Sequence, residues 1–461
     1  MALKEKEVYN SNNSSEKIYF KEKIGYASGD LACNLIYQTV STYLLFFYTD
    51  VFGISAAAAG TMFLIVRGID AISDPFIGTL VDKTISRFGK FRPYLLYGAF
   101  PFALLAILCF TTPQFSGGGK LIYAYITYIG LSITYTFINV PYGALTSAIT
   151  RDSKEVVDLT SVRMFFANLG GVIVSFGVPL LAGAIGRTAD STKIGWQITM
   201  TIMGVAGALL LIFCFKNTKE RVKVKEVHGN IKFADIFEQF RVNRPFVVLC
   251  VFFILIFGIN SISNSVGIYY VTYNVGRPDL VKWYGLLGSL PALILMPFLP
   301  VLNKKLGKKN LMRVSLTITI ASTLALLVIP AKAISLILIA RLLAAVGSLV
   351  AGGFMWALIP ETIEYGDYKT GKRLGGLIYA MIGFFFKFGM ALGGIVPGLV
   401  LQQFGYVAGH SQTPHALTGI LITTAVIPAI LLAVSLLVIN LYELDEKRYA
   451  EVIKALEMRD R

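Results

Sequence analysis

Two carboxylates lie one helical turn apart inside an apolar stretch of the chain, and they are the sharpest sign of chemistry in the sequence. Spacings of three and four residues within the segment 66–75 place Arg67, Asp70 and Asp74 on one face of a helix. Together with the hydroxyl of Ser73, the carboxylates offer hard oxygen ligands for Na+ or an acceptor for a proton. Alternatively, Arg67 simply neutralises Asp70, and Asp74 ends the helix before the proline that follows. We favour the ion site, because the alternative leaves one carboxylate without a role.

Other ionisable residues are rare in the apolar stretches, where each costs on the order of 3 kcal/mol to insert into a bilayer. They are Asp30, Arg163, Arg341 and Lys387. Lys387 lies in the middle of its stretch, too deep to reach either membrane surface, which predicts a function. Arg163 and Arg341 lie nearer the ends of their stretches and could extend to the surface; of these two, we favour a function for Arg163. Asn34 follows Asp30 by one turn, and both can bond to sugar hydroxyls.

A proline interrupts the fourth apolar stretch beside an asparagine. Pro141 lacks a backbone donor, so it can open a kink next to Asn139 and direct that side chain toward a binding site. The alternative is a simple kink with Asn139 on a loop. Tyr135 lies one turn earlier, and its ring could stack on a sugar.

Twelve apolar blocks, each long enough for a membrane-spanning helix, position these residues. The chain has 461 residues, of which 55% are hydrophobic and 15% are charged, and a spanning helix needs roughly 20 mostly apolar residues. The blocks begin near Ile24, Ala56, Tyr94, Leu121, Ser161, Trp196, Pro245, Val281, Leu311, Ile334, Leu377 and Ala416. This pattern predicts an all-α integral membrane protein with twelve transmembrane helices and argues against a soluble fold.

The distribution of positive charge predicts the orientation in the membrane. The formal net charge is +15, which in a soluble protein would favour nucleic-acid binding. With the N-terminus in the cytoplasm, however, 32 of the 42 Lys and Arg residues fall in cytoplasmic segments and only 6 in external ones. This asymmetry follows the positive-inside rule. It predicts a lipid bilayer rather than nucleic acid as the partner, with both termini cytoplasmic.

The longest polar segment between apolar blocks divides the chain into two halves of six blocks each. The predicted organisation is a cytoplasmic N-terminal tail (1–23), a first six-helix bundle (24–215), a cytoplasmic linker (216–244), a second six-helix bundle (245–441) and a cytoplasmic C-terminal tail (442–461). Basic turns that contain glycine follow the second and the eighth block, which indicates an internal repeat. Two such halves match the major facilitator fold, in which substrate binds between the halves near the membrane midplane. The periodicity of the C-terminal tail predicts a short surface helix.

Two charged connections on the cytoplasmic side are candidates for a gate. One holds Arg87, Lys90 and Arg92, and the other holds Glu364 and Asp367. Salt bridges there could close the cytoplasmic side, although the positive-inside rule and solvated loops explain the same charges without a gate. The sequence contains no phosphate-binding loop, Cys-x-x-Cys pair or histidines with metal-ligand spacing. We therefore expect neither an enzyme nor a cofactor beyond a coupling ion.

From about Lys21 to Tyr449, the chain resembles the glycoside-pentoside-hexuronide:cation symporters of the major facilitator superfamily, typified by the melibiose permease. The matching segments are Phe46-Phe-Tyr-Thr-Asp50, Asp70-Ala-Ile-Ser-Asp-Pro75, Gly89-Lys-Phe-Arg-Pro93, Asn139-Val-Pro-Tyr142, Arg163-Met-Phe-Phe-Ala167 and Glu364-Tyr-Gly-Asp-Tyr368. The resemblance implies a transporter that couples the movement of a sugar to that of H+ or Na+.

The resemblance also implies an ion site. Asp70 and Asp74 match the two cation-site aspartates of the family, Thr136 matches a threonine beside them, and Lys387 matches a lysine close to them. With Ser73, the first three form the predicted cation site, and the expected ion is Na+ or H+ at the two aspartates.

A sugar site is implied in the same way. Asp30, Arg163 and Tyr135 match a sugar-binding aspartate, an arginine and a tyrosine of the family. With the polar residues found from the sequence alone, the predicted sugar site comprises Asp30, Asn34, Tyr135, Asn139, Arg163 and Lys387.

Two positions depart from the melibiose permease, which has an aspartate in place of Asn139 and an asparagine in place of Ser73. The asparagine-proline version looks closer to the bacterial glucuronide and isoprimeverose transporters of the family, so we favour a pentoside or another glycoside over melibiose. A glucuronide would bring a carboxylate, which Arg163 or Lys387 could hold by a charge-assisted hydrogen bond. A neutral xyloside would not need them, and both substrates stay open.

The expected function is sugar symport with H+ or Na+ by a monomer in a bacterial cytoplasmic membrane. Regulation by a protein of the phosphotransferase system would act in trans. One alternative is an uncoupled facilitator or exchanger, in which the two aspartates would be structural. Another is a transporter of lipid or amphiphile from the same superfamily, against which Asp30 argues because such cargo favours an apolar cavity.

Overall fold

The structure is a computed structural model that describes residues 18–82, 84, 86–150, 153–186, 189–221, 233–295, 298–299, 302, 307–372 and 374–459. Every regular element in these ranges is helical. The helices are α1 (Phe20–Phe46), α2 (Ala56–Asp82), α3 (Arg92–Cys109), α4 (Gly117–Ile149), α5 (Ser153–Ile185), α6 (Ala189–Asn217), α7 (Phe233–Val242), α8 (Arg244–Tyr269), α9 (Val281–Leu295), α10 (Lys308–Ala325), α11 (Ile334–Thr370), α12 (Gly375–Gln403), α13 (Pro414–Leu421), α14 (Ile427–Asn440) and α15 (Glu446–Arg459). Short π-helical turns extend α1 and α8 and join α13 to α14.

Eight helices of the described ranges are long and apolar enough to cross a membrane. They are α3, α4, α5, α6, α8, α11, α12 and the continuous unit formed by α13 and α14. Each of the twelve block starts predicted from the sequence falls inside a described helix, between its first residue and about two turns later. The helices begin earlier than the apolar blocks because a polar first turn, such as that of α5 with Glu155, also forms helical hydrogen bonds.

Two polar segments contain helices of their own. The linker 216–244 includes α7 and, after Asn243, the start of α8, where the Asn243 side chain accepts a hydrogen bond from the main chain of Phe246. The C-terminal tail forms α15, which confirms the predicted surface helix. Its apolar residues Val452 and Leu456 are buried, and Arg459 donates to the Asp367 carboxylate of α11 over 2.8 Å.

Helix packing repeats between the two halves of the chain. In the first bundle (α1–α6), α1 packs against α5 and α6, α3 packs against α4 and α6, and α2 packs against α4. In the second bundle (α8–α14), α8 packs in the same way against α12 and α14, α10 against α11 and α14, and α9 against α11. This correspondence is the internal repeat that the basic turns indicated.

In the described part of the chain, the bundles are joined mainly by three helix pairs: α1 with α8, α2 with α12, and α5 with α9. At the start of α2, a Cβ on Gly398 would collide with the main-chain oxygen of Ala56, so only glycine allows α12 this close. Nearby, the Asp50 carboxylate after α1 accepts hydrogen bonds from the hydroxyls of Tyr273 and Tyr406, the latter over 2.5 Å. The bundles therefore meet tightly at the end opposite to the start of α1, which we call the closed end.

Candidate functional site

A cavity of about 970 Å³ lies between the two bundles, and most of the residues predicted for the sugar site line it. Asp30, Tyr135, Asn139 and Arg163 line it from α1, α4 and α5. Asn34 supports the first of these, because its side-chain amide donates to the main-chain oxygen of Asp30 over 2.9 Å. Small-molecule pockets in proteins measure roughly 300–1,000 Å³, so a glycoside fits this space.

Asp30 and Arg163 form an ion pair in the wall of this cavity. Arg163 Nε lies 2.8 Å from Asp30 Oδ2, and the two side chains are 24% and 10% exposed. The guanidinium also lies over the ring of Tyr142, 5.0 Å from its centroid. Tyr142 reaches this position because residue 29 is glycine, since a Cβ there would lie 2.5 Å from the ring. The two charges are thus held in a fixed orientation and cancel each other.

The proline in the fourth apolar block does not end the helix. α4 runs without interruption from Gly117 to Ile149 and includes Pro141. Asn139 therefore lies within the helix, and the alternative that it lies on a loop is wrong. Tyr135 precedes it by four residues on the same face, which is why both side chains line the cavity.

Asp70, the first carboxylate of α2, is buried and held within the first bundle. Arg67 lies one turn earlier, and its Nη1 is 3.3 Å from Asp70 Oδ2. The Ser132 hydroxyl of α4 donates to Asp70 Oδ1, so both carboxylate oxygens have partners. Ser73 donates to the main-chain oxygen of Asp70 over 3.1 Å. Thr136 is buried one turn after Ser132 on α4.

Asp74, the second carboxylate, meets a residue of the opposite bundle. Lys387 of α12 forms an ion pair with Asp74 Oδ2. The other oxygen, Asp74 Oδ1, is buried and has no hydrogen-bond partner within the described ranges. A buried carboxylate oxygen without a donor is costly, and a Na+ ion or a proton is the kind of species that would satisfy it. Lys387 therefore lies at the predicted ion site and not in the wall of the sugar cavity.

Tyr37 of α1 lies between the two sites. One face of its ring stacks on Tyr135, with centroids 4.9 Å apart and planes inclined by 21°. The guanidinium of Arg67 lies 5.3 Å from the centroid of the same ring. Its hydroxyl points to Met390 Sδ of α12 at 3.5 Å. Through Tyr37, a residue of the cavity wall is in contact with the arginine that holds Asp70.

Comparison with known proteins identifies the class of this molecule. Residues 25–446 match the family model described as MFS/sugar transport protein. The chain belongs to this family. A protein of Bacillus subtilis (strain 168) named uncharacterized symporter YnaJ is 69% identical over 97% of this chain and 96% of its own length. The isoprimeverose transporter of Lactiplantibacillus pentosus is 36% identical over 93% of this chain and 89% of its own length.

The fold of the MFS/sugar transport family agrees with a solved structure. A bacterial homologue of the human lysosomal transporter Spinster, in an inward-facing and unoccupied conformation, matches with a TM-score of 0.67 at 14% identity. The match covers 91% of this chain and 97% of that one. The chain is thus a multi-pass membrane transporter with the major facilitator fold. The names of its relatives confirm the resemblance to the glycoside-pentoside-hexuronide:cation symporters.

Part of the predicted gate of this transporter lies at the start of α3. The Glu220 carboxylate, which follows α6, accepts hydrogen bonds from the main-chain N–H groups of Lys90 and Arg92 over 2.8 and 2.9 Å. A negative charge is favourable at the N-terminus of a helix. Gly89 has a φ of 104°, a conformation that favours glycine, and it leaves room for the carboxylate. These contacts join the start of α3 to the chain just after α6, so they lie within the first half of the protein.

Two further gate candidates, Arg87 and Asp367, also have contacts within their own halves. The guanidinium of Arg87 lies 4.7 Å from the centroid of the neighbouring Phe88 ring. Asp367 accepts from Arg459 of the C-terminal α15, and Glu364 lies on α11 one turn before Asp367. A gate formed by these residues between the bundles stays a prediction.

The second bundle supplies cavity residues that were not predicted from the sequence. Asn260, Ser263 and Asn264 line the cavity from α8. They form a polar run at helical spacing within an apolar block, a signal that could have identified them. Arg341 of α11 also lines the cavity, with its Nε 3.4 Å from the main-chain oxygen of Tyr284. It therefore faces the interior of the transporter and does not extend to the surface.

Proposed function

We propose that this transporter is a secondary active symporter, which imports a glycoside, pentoside or hexuronide together with H+ or Na+ by alternating access of its two bundles. The observation that carries the proposal is Asp74, which meets a cation of the opposite bundle and has one buried oxygen without a partner among the residues that the structure describes. Charged groups at membrane depth are retained where they function. A coupling ion that binds at Asp74 therefore also changes the contact between the bundles.

Ion binding exchanges one cation for another in this mechanism. Arg67 and Lys387 balance the charges of Asp70 and Asp74, so an entering Na+ or proton displaces one of the two basic groups. Lys387 is the exchangeable one, because a single flexible ammonium leaves more readily than a guanidinium on the same helix. Its departure breaks the ion pair that joins α2 to α12.

Coupling follows because the contact between the bundles depends on the ion. A ligand shifts a conformational equilibrium toward the arrangement that it binds more tightly. The sugar binds in a cavity lined by both bundles, and Tyr135 in its wall reaches the ion site through Tyr37 and Arg67. Ion and sugar thus favour the same arrangement, and each raises the affinity for the other.

The proposed arrangement in the membrane has twelve spans, formed by α1–α6, α8–α12 and the unit of α13 and α14. The excess of Lys and Arg in alternate connections supports cytoplasmic termini. In this orientation, the closed end faces the outside of a bacterial cytoplasmic membrane. The functional unit is a monomer, because one chain encloses the whole cavity, and control by a phosphotransferase-system protein would act in trans.

Uncoupled facilitation or exchange is a second candidate, because Arg67 and Lys387 already neutralise both aspartates, as a structural role would require. A lipid transporter is less well supported, because Asp30, Arg163 and Arg341 all line the cavity.

Transport by purified protein in proteoliposomes distinguishes symport from uncoupled transport. A panel of labelled glycosides, pentosides and hexuronides is offered with an imposed Na+ or pH gradient.

Wild-type protein should accumulate its sugar against a gradient only when the ion gradient is imposed. Asp70→Asn and Asp74→Asn should abolish accumulation and still exchange internal for external sugar. The control is Asp279→Asn, because Asp279 pairs with Arg277 on the exposed surface, 2.7 Å away. Normal accumulation by either α2 variant would refute the ion site. Exchange by the wild type without any response to an ion gradient would replace symport by uncoupled transport.

A further inference from the structure

Four basic residues lie at membrane depth in this transporter, and three of them have a carboxylate partner. Arg67 pairs with Asp70, Arg163 pairs with Asp30, and Lys387 pairs with Asp74. The fourth, Arg341, has no ion pair with any residue of the described ranges. An arginine at this depth normally faces an anion or a backbone carbonyl.

The Arg341 guanidinium is built into the wall of the cavity. Its Nε lies 3.4 Å from the main-chain oxygen of Tyr284, and its Cζ lies 5.0 Å from the centroid of the Tyr284 ring. It fits against α9 because residue 288 is glycine, since a Cβ there would collide with the guanidinium. These contacts fix the plane of the group but use only part of its five N–H donors.

The charged residues that line the cavity in the described part of the chain leave one positive charge in excess. They are Asp30, Arg163 and Arg341, and the first two cancel each other in their ion pair. Lys387 is held by Asp74 outside the cavity wall. In this structure, ion pairs therefore hold both Arg163 and Lys387, the two residues considered from the sequence as partners of a substrate carboxylate.

We propose that the substrate carries a carboxylate, as a hexuronide does, and that Arg341 is the residue that binds it. A carboxylate accepts two parallel hydrogen bonds from a guanidinium, and such charge-assisted pairs are strong away from water. Asn260, Ser263 and Asn264 of the same bundle line the cavity and supply donors and acceptors for the ring hydroxyls. The inference rests on the proposed sugar transport but not on its coupling to an ion.

Equilibrium binding to purified protein in detergent tests the inference without transport. The probes are methyl and p-nitrophenyl glycosides of glucuronic acid, glucose and xylose in both anomeric forms. Glucuronide and glucoside differ only by a carboxylate in place of a hydroxymethyl group. The wild type should bind the glucuronide roughly tenfold to a hundredfold more tightly than the matching glucoside, as expected for hydrogen bonds to a charged group.

Three variants attribute this preference to one residue. Arg341→Gln should bind glucuronide and glucoside with affinities within about threefold of each other, because the charge-assisted bond is lost. Arg341→Gln should melt close to the wild-type temperature and still bind the glucoside measurably, which shows that the variant folds. Arg341→Lys, which keeps the charge but not the planar fork, should retain part of the preference. Lys332→Gln removes an exposed charge just before α11 and should behave as wild type.

Several outcomes would overturn the inference. The wild type could bind a glucoside or xyloside as tightly as the glucuronide or more tightly, or it could bind no glucuronide at all. The preference for glucuronide over glucoside could also survive in Arg341→Gln. Gradient-driven accumulation of a neutral glycoside would then leave symport standing while this inference fails. Conversely, a preference that depends on Arg341 in a protein that ignores ion gradients would refute symport and support the inference.

Discussion

Lys387 of α12 forms an ion pair with Asp74 of α2, and the two residues belong to opposite bundles. The other carboxylate of α2, Asp70, has both of its partners, Arg67 and Ser132, in the first bundle. Loss of the charge at Asp74 therefore breaks a contact between the bundles, whereas loss of the charge at Asp70 does not. This asymmetry assigns different tasks to two aspartates that lie only one turn apart.

Removing one member of the pair should lower stability more than removing both. Asp74→Asn leaves the Lys387 ammonium without a carboxylate, and Lys387→Met leaves the carboxylate without an ammonium. The side chains of Lys387 and Asp74 are 26% and 29% exposed, so each single change should cost about 1–3 kcal/mol, less than for a fully buried pair. The double variant has no unpaired charge and should melt at a higher temperature than either single variant. A double variant that melts no higher than the less stable single variant would show that the two residues do not interact.

Ser132 should distinguish Na+ from H+ as the coupling ion. Its hydroxyl donates to Asp70 Oδ1, so its oxygen lies beside the predicted ion site. In Ser132→Ala, Na+ loses a nearby oxygen ligand and should bind more weakly, whereas uptake coupled to H+ does not need this ligand. The loss is expected to be about 1 kcal/mol, and the Na+ concentration for half-maximal uptake measures it, with the pH for half-maximal uptake as the comparison.

Thr134→Ala is the matched control for this experiment, because the Thr134 hydroxyl of the same helix bonds only to the main-chain oxygen of Gly130, at 2.8 Å. It should leave ion dependence unchanged. Identical ion dependence in the Ser132 and Thr134 variants would remove Ser132 from the ion site.

The sequence predicts which residues of this transporter are charged at membrane depth, but it does not predict their partners. The spacing of Arg67, Asp70 and Asp74 placed them on one face because helical geometry is local. Their pairing with Ser132 and Lys387 depends on how α2 packs against α4 and α12, which no local pattern encodes. The helices were predictable for the opposite reason, because each block must satisfy its own backbone hydrogen bonds within the bilayer.

Arg341 shows that the position of a residue along a span does not predict the direction of its side chain. Its distance from the start of α11 suggested a side chain that reaches the surface, and depth alone does not tell which face of a helix points inward. α11 is apolar on most sides, so its sequence gives little indication of the inward face. Thr136 was placed beside the ion site by resemblance, whereas the described hydrogen bond to Asp70 comes from Ser132, one turn earlier on the same helix.

Gly398 should control the opening of the closed end. In Gly398→Ala, the new Cβ would collide with the main-chain oxygen of Ala56 and would lie 3.0 Å from the Cα of Gly60. Backbone atoms cannot rotate away, so α2 and α12 should separate and the closed end should open more often. Asn264→Cys, in the cavity wall, should then react faster with a membrane-impermeant maleimide outside intact cells. The four native cysteines are buried and give little background.

Gly383→Ala on the same helix is the control, because its Cβ would meet no atom within 4 Å. It should leave the labelling rate of the reporter cysteine unchanged. Equal labelling in the two alanine variants would mean that the glycine contact does not hold the closed end shut. Thermal unfolding of both variants shows whether a faster reaction reflects opening or general loss of stability.

The ring of Tyr37 should carry the coupling between sugar and ion. It stacks on Tyr135 and lies under the guanidinium of Arg67, contacts that together contribute about 1–2 kcal/mol. Tyr37→Phe keeps the ring and should keep the increase in sugar affinity that the coupling ion produces. Tyr37→Leu removes both contacts, so the ion should change sugar affinity less than in the wild type, while each ligand alone still binds. Sugar titrations at zero and saturating ion measure this ratio for the three proteins. If Tyr37→Leu retained the full ratio, we would assign the coupling to the Lys387 and Asp74 pair instead, because that pair joins the ion site to the opposite bundle.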